Sequence, residues 1–158
     1  MGDVREPLRE LTSCGLPEAL EVMGERWSFM ILRASFNGLH HFEEFQAGLG
    51  IARNILSDRL AKLVNGEILQ RTPDPSDRRK VIYSLTKKGE SLLTVMLAIR
   101  QWGEDWGHGE QRIVLADIRD RRPIRRIKVI AEDGREVKLS DLTWLSREEI
   151  QVNADEAA

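Results

Sequence analysis

The sequence predicts a mainly α-helical fold with one small β-hairpin, followed by a short C-terminal extension, and three observations carry that prediction. Apolar residues recur at helical spacing through residues 17–65. The period then shortens to two over residues 68–72 and 81–85, on either side of the turn-prone run P-D-P-S-D. Helical spacing resumes after Thr86 and lasts to Trp106.

The elements follow in order. Pro17 suits the first turn of a short helix whose stripe is Ala19, Leu20 and Met23, interrupted by Gly24. Residues 27–36 read W-S-F-M-I-L-R-A-S-F, apolar nearly all round, which predicts a central buried helix stopped by Asn37-Gly38. Phe42, Phe45 and Leu49 stand at i, i+3 and i+7, an amphipathic helix over 41–49 closed by a turn at 48–50. From Ala52, the set Ile55, Leu56, Leu60, Leu63 and Val64 continues helically to Asn65-Gly66. The hairpin comes next, with a charged tip at 74–80. Thr86 is a candidate N-cap for one long helix through Leu92, Leu93, Met96, Leu97, Ile99 and Trp102, closed by Gly103 and Gly107 around Trp106. This order is that of a winged helix-turn-helix: three helices bury one core, the last of them lies on the surface, and the hairpin stands beside it as a wing.

Beyond residue 108 the signal changes. Ile113, Val114 and Ile118 are weakly patterned, whereas residues 124–131 and 135–139 alternate around Glu132-Asp133-Gly134, a strong hairpin signal. The expectation is a small C-terminal β-hairpin that packs on the rest, with Trp144 and Leu145 folding back on it. Three segments result: a main domain at 14–107, an extension at 108–151 and a frayed tail at 152–158.

Composition bounds the function. A chain of 158 residues with 41% apolar and 32% charged residues supports one core plus an appendage. No apolar run approaches the roughly 20 residues that cross a bilayer, and the N-terminus has no apolar signal-peptide core, so a cytoplasmic protein without membrane partners is expected. Cys14 is the single cysteine, which excludes an internal disulfide or a two-cysteine metal site. His40, His41 and His108 have no partners at metal-ligand spacing, and no phosphate loop, nucleophile elbow or H-E-x-x-H helix is present. Neither an enzyme nor a cofactor is expected.

Charge is unevenly placed. Residues 1–50 hold 4 Lys/Arg against 8 Asp/Glu, a balance of −4, while residues 51–90 hold 9 against 5, a balance of +4. A basic block in an acidic protein fits one polyanion-binding face; a solvated surface is the alternative. Turning Ile55, Leu56, Leu60 and Leu63 to the core leaves Arg53, Asn54, Ser57, Asp58, Ala61 and Lys62 outward. Arg53 could read guanine and Asn54 adenine, each pair worth about 1–3 kcal/mol of discrimination. Ser57 and Arg59, one turn on, suit backbone contacts. At the hairpin tip Arg78, Arg79 and Lys80 could reach phosphates or a minor groove, with Asp77 pairing with Arg78 or Arg79 to fix its direction.

These residues carry a resemblance. Cys14, Gly24-Glu25-Arg26-Trp27, Ile31-Leu32-Arg33, Phe42-Glu43-Glu44-Phe45, Ile51, the run Ile55-Leu56-Ser57-Asp58-Arg59-Leu60, and Tyr83-Ser84-Leu85-Thr86 leading to Gly89 resemble the HxlR family of bacterial winged helix regulators over about 60% of the chain. Residues 74–89 are also similar to the wing of the MarR family, whose wing arginines approach the minor groove. The chain departs from the family where a Ser-Pro-type cap opens the recognition helix; Ala52-Arg53 stands there, and a lost cap costs about 0.5–2 kcal/mol. The resemblance implies double-stranded DNA as partner, a pseudo-palindromic operator, repression by blocking polymerase as the output, and an unidentified small-molecule effector. It also implies a homodimer formed through the first and last helices, here Leu16, Leu20, Leu93, Met96, Leu97, Arg100, Trp102 and Trp106. Some family members resemble thiol sensors at the place of Cys14, though a half-buried, unreactive cysteine is the expectation here. A protein-interaction module that docks through the C-terminal hairpin is the competing class.

Overall fold

The computed structural model describes residues 14–107, 113–145 and 150; His108 and the tail at 152–158 lie outside the described residues. The elements are α1 (Gly15–Met23), α2 (Arg26–Phe36), α3 (Phe42–Leu49), α4 (Arg53–Asn65), β1 (Leu69–Pro73), β2 (Val81–Leu85), α5 (Lys87–Ser91) and α6 (Leu93–Trp106), with a 3-10 turn at Leu139–Asp141. The order is that of a winged helix-turn-helix. Strands β1 and β2 pair antiparallel from Leu69 opposite Leu85 to Pro73 opposite Val81.

Two compact units are present, Gly15–Ile127, and Lys128–Ala158 with Met1–Cys14. In the first unit, Ile31, Leu32, Phe45, Leu56, Leu60, Leu63 and Leu69 are fully buried. Each such side chain contributes about 1.5–3 kcal/mol relative to exposure. Helix α2 buries Ser28, Ile31, Leu32 and Ala34, while Trp27, Phe29 and Phe36 are half-buried, so it is less enclosed than its apolar sequence suggests. The turn between α3 and α4 is made by Gly50, whose φ of 61° lies in the left-handed region and whose N–H caps Gln46.

The long helix expected after Thr86 is two helices. The Thr86 hydroxyl accepts from Gly89 N at 3.0 Å and donates to Glu67 O at 2.5 Å, tying the first turn of α5 to the chain just after α4. A Cβ on Gly89 would lie 2.2 Å from Ile68 O, so this close approach requires glycine. Leu92 then donates to Gly89 O in an i−3 bond, and the axis breaks there before α6 begins. Gly103 does not end α6, which runs on to Trp106 and is capped by Gly107.

Residues 113–127 form a hairpin that the sequence pattern did not reveal. Ile124 N donates to Leu115 O at 3.0 Å, Asp117 N to Arg122 O at 2.9 Å, and Ala116 bridges Pro123. The side-chain amide of Gln101 binds both backbone groups of Ile127, at 2.9 and 3.0 Å, Arg126 pairs with Asp105 at 2.5 Å, and Arg100 donates to Ile113 O. This hairpin therefore groups with α6 rather than with the chain beyond residue 127.

The hairpin expected at Asp133-Gly134 is shorter than the alternation suggests. Gly134 turns at φ 84°, Ala131 N donates to Arg135 O at 2.8 Å, Val137 N donates to Val129 O at 3.0 Å, and Ile130 bridges Glu136, so a hairpin over residues 129–137 is present. Val129, Ile130, Trp144 and Leu145 stay exposed, contrary to the packing expected of them; a two-stranded hairpin this short buries little apolar surface by itself. Among the described residues no helix is long and apolar enough to cross a membrane.

Candidate nucleic-acid interface

Helix α4 opens without a side-chain cap: Ala52 is extended, at φ −63° and ψ 139°, and only its carbonyl joins the helix, through Leu56 N at 2.9 Å. The buried stripe Leu56, Leu60 and Leu63 turns Arg53, Asn54, Ser57, Asp58, Ala61 and Lys62 to solvent, as the periodicity predicts. The Arg53 guanidinium lies over the Phe42 ring at 4.7 Å, a cation–π contact that holds the side chain at the α3–α4 turn.

Arg59 sits differently from its expected place. Its side chain is only 18% exposed and pairs with Glu25 and, at 3.0 Å, with Asp58. Lys62 Nζ is 3.7 Å from the same Glu25. These pairs tie α4 to the residue that precedes α2. Arg59 is thereby engaged within the protein, which fits a scaffold role better than a phosphate contact.

The wing is locked at its base and braced at its tip. Tyr83 N donates to His40 O at 2.8 Å, and His41 bridges Ile82, so the residues before α3 lie along β2. His41 Nδ1 donates to Val81 O at 3.1 Å, since a carbonyl can only accept, and Nε2 faces Asp74 Oδ2 at 3.4 Å. Asp74 is 7% exposed, and its Oδ1 accepts from the N–H and the hydroxyl of Ser76, both at 2.7 Å. At the tip, Asp77 Oδ1 accepts from Arg79 N and Nε, and Oδ2 accepts from Nη2 at 3.2 Å. The expected Asp77 brace thus falls on Arg79, which is left 91% exposed with its direction fixed. Arg78 and Lys80 are exposed beside it, with no acidic side chain bonded to them among the described residues.

The bonds set the electrostatics. Hydrogen bonds from Ser76 hold the Asp74 carboxyl below its usual value of 3.8, and the Arg79 side chain does the same for Asp77. A carboxylate with a lowered folded pKa stabilises the fold above its unfolded pKa, and that contribution is lost as pH falls through the folded value. Asp74→Asn is therefore expected to lower the melting temperature at pH 7, with the gap to the parent closing below pH 3.8. Thermal melts between pH 3 and 7 check this; a gap that stays constant down to pH 3 contradicts it.

His41 and Asp74 hold the wing to the start of α3 and Phe42 holds the Arg53 side chain, contacts that the sequence reading missed. D-P-S is a signal for the Asp74–Ser76 turn, but nothing local pairs His41 with a residue 33 positions away.

The residues expected at a dimer contact divide into two groups. Leu16, Leu20, Leu93, Trp102 and Trp106 are exposed, the two tryptophans by 67% and 74%. Met96, Leu97 and Arg100 are half-buried, and Leu97 and Arg100 line a cavity of about 230 Å³ under the 113–127 hairpin. Val95 and Ile99 join the exposed set, although neither was among the residues expected at that contact. Cys14 is exposed, not half-buried, because it precedes the exposed first turn of α1. Among the described residues no cluster of His, Cys, Asp or Glu could hold a metal.

Comparison with known proteins gives one consistent picture. Residues 22–111 match the profile of a family described as HxlR-like helix-turn-helix. The chain is 40% identical over 88 residues to the uncharacterized HTH-type transcriptional regulator Rv3095 of Mycobacterium tuberculosis, an alignment covering 56% of each protein. It thus spans little more than half the length of that relative. The crystal structure of PA1607, a candidate transcription factor, superposes with a TM-score of 0.80 at 37% identity, covering 89% of this chain and 99% of that one. The reduced form of the transcriptional regulator YodB from Bacillus subtilis gives 0.52 at 30% identity, covering 60% of this chain and 95% of that one.

Proposed function

Because the chain belongs to the HxlR-like helix-turn-helix family of DNA-binding transcription regulators, we propose that it acts as a homodimeric repressor on a pseudo-palindromic operator. The carrying observation is the wing. Its three cations stand on a hairpin that His41 and Asp74 fix to the start of α3, and Asp77 aims one of them outward. Helix α4 stands on the same helical core with Arg53 and Asn54 at its exposed N-terminal turn, the part of a recognition helix that reaches base edges. Phosphate contacts from the wing position the protein, and Arg53 and Asn54 read the sequence. Two copies related by a twofold axis present two such units to one face of the duplex, and occupancy of a promoter blocks polymerase.

Selection of bound duplexes from a random pool at fixed salt tests this reading. The expected result is an inverted repeat with half-site centres about 10 base pairs, or a multiple of that, apart. Enrichment of a single non-repeated motif would overturn the dimeric reading, and no enrichment over random duplex would overturn sequence-specific control altogether.

A further inference from the structure

The tip of the 113–127 hairpin repeats the device that aims Arg79 in the wing. In the wing, Asp77 Oδ1 accepts from Arg79 N at 3.1 Å and Nε at 3.1 Å, and Oδ2 accepts from Nη2 at 3.2 Å. In the hairpin, Asp117 Oδ1 accepts from Arg119 N at 2.8 Å and Nε at 3.2 Å, and Oδ2 accepts from Nη2 at 2.8 Å. The spacing is again two residues, and the same three bonds form. Asp120 starts a third such brace, taking Arg122 N at 3.0 Å with Nε at 3.9 Å.

A guanidinium carries five N–H donors, and this brace uses two of them. Three remain, pointing away from a fixed carboxylate, and Arg119 and Arg122 are each 85% exposed. Arg121 stands between them at φ 59°, a left-handed conformation that glycine would adopt at lower cost. Holding an arginine there keeps a third cation at the tip. Residues 117–126 carry five arginines against two aspartates, a balance of +3 in a chain of net charge −2, whereas residues 71–80 around the wing reach +2. The hairpin also belongs to the compact unit that contains α4 and the wing, anchored to α6 through Gln101, Arg100 and Asp105.

We propose that residues 117–122 are a second phosphate-binding tip of the DNA-binding unit, meeting the sugar–phosphate backbone of duplex DNA outside the base pairs read by α4. The proposal rests on the reading of the chain as a DNA-binding regulator. Arginines held by a carboxylate on one edge meet a phosphate with their free edge without first losing side-chain freedom. Such contacts add affinity and salt dependence but no base preference.

The test is the salt dependence of binding by the full chain, measured by fluorescence anisotropy on a labelled duplex of about 40 base pairs that carries the selected site centrally, so that flanking backbone is available. Arg119→Ala with Arg121→Ala and Arg122→Ala is expected to lower the slope of log Kd against log salt by about 2–3 for each bound protomer, about twice that for a dimer on the site, with unchanged base preference. The corresponding triple lysine variant keeps the charge and most of the slope. Arg121→Gly relieves the backbone conformation, so the fold is retained, and lowers the slope by about 1 for each bound protomer. An unchanged slope in the alanine and glycine variants overturns the proposal. Arg78→Ala with Arg79→Ala runs beside them. If that wing variant lowers the slope and the hairpin variants do not, only the second tip is refuted; if neither does, the DNA-binding reading of the wing fails as well.

Discussion

Reversing the wing charge, Arg78→Glu with Arg79→Glu, is expected to weaken duplex binding by about 10²–10⁴-fold for each bound protomer at moderate salt. Two charge-assisted hydrogen bonds to phosphate, each worth about 1.5–3 kcal/mol, are lost, and every 1.4 kcal/mol is tenfold in affinity. Repulsion from the new carboxylates adds to that loss. Both positions are exposed and lie outside the core, so circular dichroism stays that of the parent and the melting temperature falls only slightly, by the loss of one solvent-screened ion pair. Asp77 sharpens the expectation. In the parent it holds Arg79 by three bonds; in the variant it faces a like charge and the tip loses its brace. Anisotropy titrations at several salt concentrations measure the effect. If the chain were a protein-docking module instead, the same variant would leave partner binding untouched, and unaltered DNA affinity would remove the wing from the interface.

The helical part of the fold was legible because its signals are local. Periodicity located α2, α3 and α4 to within a residue or two, glycine at Gly50 marked the turn, and Thr86 announced its own cap. What was not legible depends on partners distant in sequence. The break at Leu92 follows from the approach of Gly89 to Ile68 across the base of the wing, which no helical pattern records. The His41–Asp74 lock joins two segments whose local sequences name no partner. Arg59 has the position of an exposed helical residue in the sequence, yet Glu25 draws it inward. The 113–127 hairpin escaped notice because its apolar residues do not alternate; it is built on a Gln101 side chain and on Asp-x-Arg braces. The recurrence of that short motif at 77–79, 117–119, 120–122 and 133–135 was the readable signal. Asp133-Gly134 shows the converse: a strong local turn signal located a hairpin, which spans residues 129–137 and so is shorter than the alternation around it.

Helix α6 leads to the other large effect. Its face at Leu97, Arg100, Gln101 and Glu104 is covered by the 113–127 hairpin of the same chain. Val95, Ile99, Trp102 and Trp106, spaced by four, three and four, form a stripe on the helix that stays exposed, as do Leu16 and Leu20 of α1. So many large apolar side chains on one helix face suit the proposed dimer contact, in which a twofold axis would set the stripe against its own copy. Ile99→Asp with Trp102→Asp then places each carboxylate twice in one apolar contact, where burial without a partner costs several kcal/mol per ion. The expected result is a monomer in sedimentation velocity at micromolar concentration, with α-helical circular dichroism retained because neither residue belongs to the core. Operator affinity is expected to fall by about 10²–10⁴-fold, since two half-sites are no longer bound by linked units. Binding to a single half-site stays near the parent's, because α4 and the wing are untouched. A variant that still sediments as a dimer places the interface elsewhere. A variant that is monomeric yet binds the full operator as tightly as the parent would show that dimerisation contributes nothing to recognition.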